Sequence, residues 1–404
     1  MNAVASDIPS HVPRELVMDF DFMNMPGHRD DVHVAWKRAV EGAPDIFWTP
    51  RHGGHWVAIR ADDIEVMQRD HEHFSYESVT IPRQQSVRLA PLEYDPPEHT
   101  SLRGILSPAF GPKPMQALQP DVRALCIELI DGFYARGECE FVADFAKRLP
   151  IVVFLRLVDL PLEDREHLLE LTEMSVRGNA EQREKSNQGL FMYVQKWIAQ
   201  RRAQPGNDLF SKIVNAMPGG QAMSPEKTFG MLVNVIFGGL DTVAASLSFV
   251  TRWLAENPQA RRTLIDNPAL MPDALEEFYR RFGIPQTARV IVKDFRYKDV
   301  PFRKDEQILL SKTLHGLDER RYPDPLQVDF KRQRAPHAAF GDGPHRCPGS
   351  FLARQELRIF LEEWLKRIPE FRIKPGAKPE TSSGMVNGVL SLPLVWDVTQ
   401  RAGV

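Results

Sequence analysis

The 404 residues carry 51 Lys and Arg against 54 Asp and Glu, a formal net charge of −3, with 43% hydrophobic and 26% charged residues. That balance excludes a disordered or fibrous chain and gives no global pull towards nucleic acid or an anionic membrane. Three cysteines, Cys126, Cys139 and Cys347, are too few for a disulfide framework and fit a reducing cytosol.

The N-terminus shows no basic start followed by an apolar core, so no signal peptide is expected, and no stretch approaches the roughly 18 apolar residues of a membrane span. The expected location is cytoplasmic. DIFWTP and HWVAIR then read as two short strands around the Gly-Gly turn of RHGG. ADDIEVMQRD starts like a helix, and IPRQQSVRLAPLEYDPP is a proline-bounded loop. PEHTSLRGILSPAF predicts a short helix, and DVRALCIELIDGFYA a longer one with Cys126 on its apolar face. Cys139 in GECEF reads as structural. DREHLLELTEMSV and QGLFMYVQKWIAQRR are helices joined by polar RGNAEQREKSN, a join expected to be mobile.

The longest helical pattern runs from Ser224 to about Glu256, with Ser224, Pro225 and Glu226 as its start. It is apolar nearly all round and should be buried. ALMPDALEEFYRRF is another helix; RVIVKDFRY, KDVPFRKDE and QILLSKTL alternate like strands; SFLARQELRIFLEEWLKRI is a last amphipathic helix. The expected fold class is mostly α with small β-sheets (α+β).

Residues 340–349 read FGDGPHRCPG, which places Cys347 in a loop of three glycines and two prolines, beside His345 and Arg346 and just before a helix. A structural cysteine prefers an apolar core; this one is presented. Backbone N–H groups and the positive helix end favour thiolate, which makes it a nucleophile or a metal ligand. Zinc wants about four ligands at short spacing, and no second cysteine is near. A nucleophile needs a histidine base in space; heme needs one protein thiolate below its iron.

Phe340, Gly343, His345, Cys347 and Gly349 fill every fixed position of F-x-x-G-x-[HR]-x-C-x-G, so the loop resembles the heme-binding loop of the cytochrome P-450 family. The resemblance spans nearly the whole chain. It implies a single large domain over residues 1–404, with heme b between the long distal helix and the helix after the cysteine loop. Cys347 would ligate the iron. Glu277 and Arg280 stand as E-x-x-R, 70 residues ahead of Cys347; with Arg332 as third member they would lock the fold beneath the heme. FGGLDT matches the family's distal [AG]-G-x-D-T: the helix opens near Gly238 to leave room for O2, Thr242 bonds the oxygen and Asp241 feeds protons. Glycines in a helix cost roughly 1 kcal/mol each against alanine, and a buried aspartate is costly unless paired. His99 and Arg103, with Arg289 and His345, would bind the heme propionates.

GGLDT, DEQILL, GLDER and LPLVWD are similar to the camphor-hydroxylating bacterial subgroup. That subgroup has a tyrosine in the loop before DPPE; QQSVRLAPLE has none, and Val87 or Leu89 takes its place. Val87, Phe237, Pro285, Met385 and Val386 are the corresponding apolar lining, with Asn234 as the one polar handle. The implied reaction is hydroxylation of a small apolar terpenoid or norisoprenoid-type substrate by a monomer. No flavin or iron–sulfur motif is present, so the two electrons would come from a [2Fe-2S] ferredoxin with an NADH-dependent reductase, docked near Cys347 by Arg346 and helix arginines. No nucleic acid or membrane partner is expected. The alternatives are a peroxide-driven oxygenase, disfavoured by the Asp241–Thr242 pair, and a non-catalytic heme sensor or carrier. Pro348 brings no N–H to the ligand sulfur, which leaves more electron density there.

Overall fold

The computed structural model describes residues 8–83, 87–332 and 336–400. The helix Pro225–Glu256 runs through the centre, with Pro225 in its first turn and Ser224 Oγ accepting the Lys227 N–H at 3.3 Å. The helices Arg148–Leu157, Ala180–Ala203, Leu209–Val214, Pro258–Asp266 and Ser350–Arg367 pack on it. By length and composition the central helix could cross a bilayer, which Asn234 and the glycines conceal in the sequence. In the fold, 67% of its most apolar window is buried, so it is the axis of the core.

Two expected boundaries move. The helix predicted from Asp121 begins at Pro112 and continues to Tyr134, with Pro120 inside it. The polar join at 177–187 is not a mobile connector. Arg165–Arg177 stops at Gly178, and the next helix starts at Ala180 under a capping box: Asn179 Oδ1 accepts the Gln182 N–H and Gln182 Oε1 accepts the Asn179 N–H, both at 2.9 Å. Its polarity marks an exposed helical face.

The largest sheet has the order Ile46–Thr49, His55–Ala58, Gln307–Ser311, Gln286–Ile291, Phe74–Ser75. Only the pair His55–Ala58 and Gln307–Ser311 is parallel. Thr287 faces Leu310 in register and Arg289 faces Ile308. The outer strand Ile46–Thr49 turns through His52, Gly53 and Gly54, all at positive φ. Ser311 leads into the short helix Lys312–Gly316 and caps it. A three-stranded sheet joins Glu138–Glu140, Pro393–Trp396 and Phe371–Ile373. All three cysteines are free; Cys126 and Cys139 are buried as expected.

Candidate functional site

The cysteine loop is held from several sides. The Cys347 N–H donates to the Phe340 carbonyl at 2.8 Å. Gly341 and Gly343 sit at φ 75° and 70°, a region that favours glycine, and a Cβ on Gly343 would come within 3.2 Å of Arg69 Cα. The Phe340 ring packs 4.7 Å from Tyr279, with the Arg354 guanidinium 4.3 Å above it. Burial pushes the Cys347 thiol up, against a Gly349 N–H bond and the charges of Arg103, Arg354 and Arg346. A metal cation on the sulfur would deprotonate it. Among the described residues no group of three or more His, Cys, Asp or Glu could hold a metal ion. A lone sulfur suits an iron already held by a porphyrin, and does not suit zinc.

The E-x-x-R reading assembles as expected. Glu277 accepts Arg280 Nε and Nη2 at 2.8 Å each and Arg332 Nε at 3.1 Å. Arg280 also donates to the carbonyls of Gly316, Pro325 and Gln327 at 2.6–2.8 Å. One buried guanidinium thus fastens the strand-to-loop segment 316–329 to the helix Met271–Arg281.

On the central helix, Gly230, Asn234, Gly238 and Thr242 recur every four residues and so share a face. At Gly230 a Cβ would collide with the Arg88 carbonyl. Asn234 Nδ2 donates to the Ala90 carbonyl at 3.1 Å. Gly238 is exposed inside an otherwise buried helix, and a Cβ there meets no atom within 4 Å, whereas one on Gly239 would touch Phe154 at 3.6 Å. The opening is therefore at Gly238 alone. Thr242 Oγ1 donates to the Gly238 carbonyl at 3.3 Å. Asp241 is gripped by Arg177, Nη1 to Oδ1 at 2.7 Å and Nη2 to Oδ2 at 3.1 Å. Sequence reasoning missed Arg177, because nothing in RGN announces a partner 64 residues away.

His99, Arg103, Arg289 and His345 converge. The His345 ring stacks on Tyr76 at 3.3 Å, lies 3.9 Å from His99, and donates from Nε2 to the Tyr94 carbonyl at 2.7 Å. The Arg289 guanidinium lies 3.3 Å from the centre of the same Tyr76 ring. Arg103 Nη2 donates to the Arg346 carbonyl. Burial pushes His99 down to about 4 and His345 to about 3. His345 Nδ1, both His99 ring nitrogens and Arg289 Nε are buried without a partner. Buried polar atoms normally have one. Unpartnered nitrogens on neighbouring basic side chains match a carboxylate-bearing cofactor, and the residues fit heme.

The expected substrate lining is only partly assembled. An isolated bridge joins Pro285 to Val386, and the Met385 carbonyl accepts the Gln286 N–H at 2.8 Å. Phe237, Met385 and Val386 are half-buried against the core. Val87 is 45% exposed. Residues 84–86 of that loop lie outside the described residues. Asn234 is engaged by the loop backbone through its amide nitrogen, which leaves its amide oxygen as an acceptor.

Comparison with known proteins agrees with this geometry. The family model for cytochrome P450 matches residues 270–395. The chain is 36% identical to CYP101J2, whose crystal structure superposes with a TM-score of 0.89 over 97% of this chain and 100% of that one. CYP101C1 gives 37% and 0.89 over 96% and 100%. The mycinamicin IV hydroxylase/epoxidase of Micromonospora griseorubida is 30% identical over 84% of this chain and 89% of its own. The probable cytochrome P450 127A1 of Sinorhizobium fredii (strain NBRC 101917 / NGR234) is 34% identical over 96% of this chain and 97% of its own. Likeness on that scale, carried end to end, shows that the chain belongs to the cytochrome P450 family, as a monooxygenase whose cofactor is heme b.

Proposed function

We propose that this monooxygenase hydroxylates a small apolar terpenoid or norisoprenoid-type substrate, drawing two electrons from a [2Fe-2S] ferredoxin reduced by an NADH-dependent reductase, in the cytoplasm. The overall change is RH + O2 + 2 e⁻ + 2 H⁺ → ROH + H2O. The observation that carries the substrate class is the apolar character of the described lining: Phe237, Pro285, Met385 and Val386 bring no polar side-chain group, and Asn234 Nδ2 is tied to the Ala90 carbonyl.

Cys347 would ligate the iron of heme b, with Arg103, Arg289, His99 and His345 on its propionates and Phe340 and Gly349 beside the ligand. When bound, the group supplies O2 activation and insertion of one oxygen atom into a C–H bond. The apolar lining excludes water and orients the substrate. The Thr242 hydroxyl and Asp241 carboxylate would deliver two protons to the distal side, with Arg177 holding the carboxylate between deliveries. Arg346, exposed beside Cys347, offers an acidic partner a landing charge.

A spectral screen of small terpenoids tests the reading. A low-to-high-spin shift with a mid-sized terpenoid ketone supports it; a shift only with polar or much larger ligands would overturn it. Product formed with peroxide alone, and none with ferredoxin, reductase and NADH, would favour the peroxide-driven reading.

A further inference from the structure

We propose that Lys312 and Thr287 complete the seat for the cofactor's carboxylates, with Lys312 binding one heme propionate and the Thr287 hydroxyl joining it to Arg289. The inference rests on the basic cluster being the heme propionate site. Lys312 opens the short helix Lys312–Gly316, directly after the strand that pairs with Thr287 and Arg289. It is 4% exposed. Its Nζ donates to Thr287 Oγ1 at 2.8 Å, and Arg289 Nη1 donates to that same oxygen at 3.3 Å. Two buried cations therefore share one neutral acceptor.

Among the described residues, neither cation forms an ion pair with a carboxylate; Arg289 also donates to its neighbour's carbonyl, Ala288 O at 2.6 Å, and is held by Tyr76 and, at longer range, by the charge of Asp95. Burial and the Arg289 charge push the Lys312 ammonium well below its usual range, as expected of a cation that lacks its counter-ion. An ammonium has three donors, and only one is used. The Thr287 oxygen already accepts twice, so its own hydrogen is left for a third group. Arg289 Nε is buried and unpartnered. All these donors belong to touching residues, and such a set is costly to bury unless an oxygen-rich anion meets it. A carboxylate has the right charge and acceptor geometry. It could belong to the cofactor or to an acidic substrate; the second cation beside Arg289 favours the cofactor.

The test is heme release from the purified holoprotein to excess apomyoglobin, followed by absorbance. Wild type, Lys312→Met, Lys312→Gln and Thr287→Val are compared after loading with heme b and, separately, with the iron porphyrin whose propionates are methyl esters. Lys312→Met is expected to release heme b about tenfold faster or more, the loss of one charge-assisted bond, and to match wild type with the diester. Thr287→Val should show a smaller change of the same kind. Equal release of heme b by wild type and Lys312→Met overturns the proposal. Equal acceleration with both porphyrins also overturns it, since that marks a packing role. Unchanged heme release with loss of the spin shift caused by perillic acid, a monoterpenoid carboxylic acid, would place the carboxylate on a substrate and overturn it too. If Lys312→Met does not fold, Lys312→Gln is read by the same criteria. The carbon monoxide band of wild type reports on thiolate-bound heme separately, whatever Lys312 does.

Discussion

Arg177 closes on Asp241 through both guanidinium nitrogens, one to each carboxylate oxygen. The carboxylate is thus aimed by a residue on another helix, one side chain away from Thr242. Asp241→Asn keeps the shape and removes the proton acceptor. Turnover should fall by about a hundredfold, with an unchanged substrate-induced spin shift and a larger solvent isotope effect. Wild-type turnover in this variant would remove Asp241 from the proton path.

Gly238 offers a test with two signs. Gly238→Ala should stabilise the central helix by roughly 1 kcal/mol, because its Cβ meets nothing within 4 Å. With Gly238 over the cofactor as proposed, the same methyl group would enter that space, so carbon monoxide affinity should fall. Thermal unfolding and carbon monoxide titration read the two effects; a gain in both would show that the opening lies elsewhere.

The Glu277–Arg280 pair is buried, at 6% and 2% exposure. Glu277→Gln leaves the Arg280 charge without its carboxylate, which should cost about 3–5 kcal/mol. Urea unfolding of the holoprotein measures it, and a loss below about 1 kcal/mol would show that the carbonyls of Gly316, Pro325 and Gln327 suffice to hold Arg280.

Pro348 leaves the Gly349 N–H as the backbone bond that lowers the Cys347 pKa. Pro348→Leu adds an N–H beside the sulfur, draws electron density from it and should raise the heme reduction potential. Spectroelectrochemistry that finds no rise, or a fall, would count against this account.

Much of the site was legible because its chemistry is local. The spacing of Phe340, Gly343, His345, Cys347 and Gly349 lies within one loop, and Glu277 and Arg280 lie within one helical turn. What stayed hidden depends on tertiary approach. Arg177 reaches Asp241 from another helix, and Tyr76, just after the strand Phe74–Ser75, stacks on His345 of the cysteine loop. The capping box at Asn179 and Gln182 was readable, but the polarity around it resembled a linker. Asn234 was rightly singled out as unusual, yet only the folded loop shows what it binds.

The four-residue ladder on the central helix divides labour along one face. Gly230 and Asn234 seat the loop at Arg88 and Ala90, while Gly238 and Thr242, two turns on, are the pair proposed for the oxygen end. On that proposal, entrance shape and reaction chemistry are written two helical turns apart on a single rod. Drift at the first pair can retune which molecules are admitted while the second pair stays untouched, so this scaffold can diversify its diet without relearning its trade.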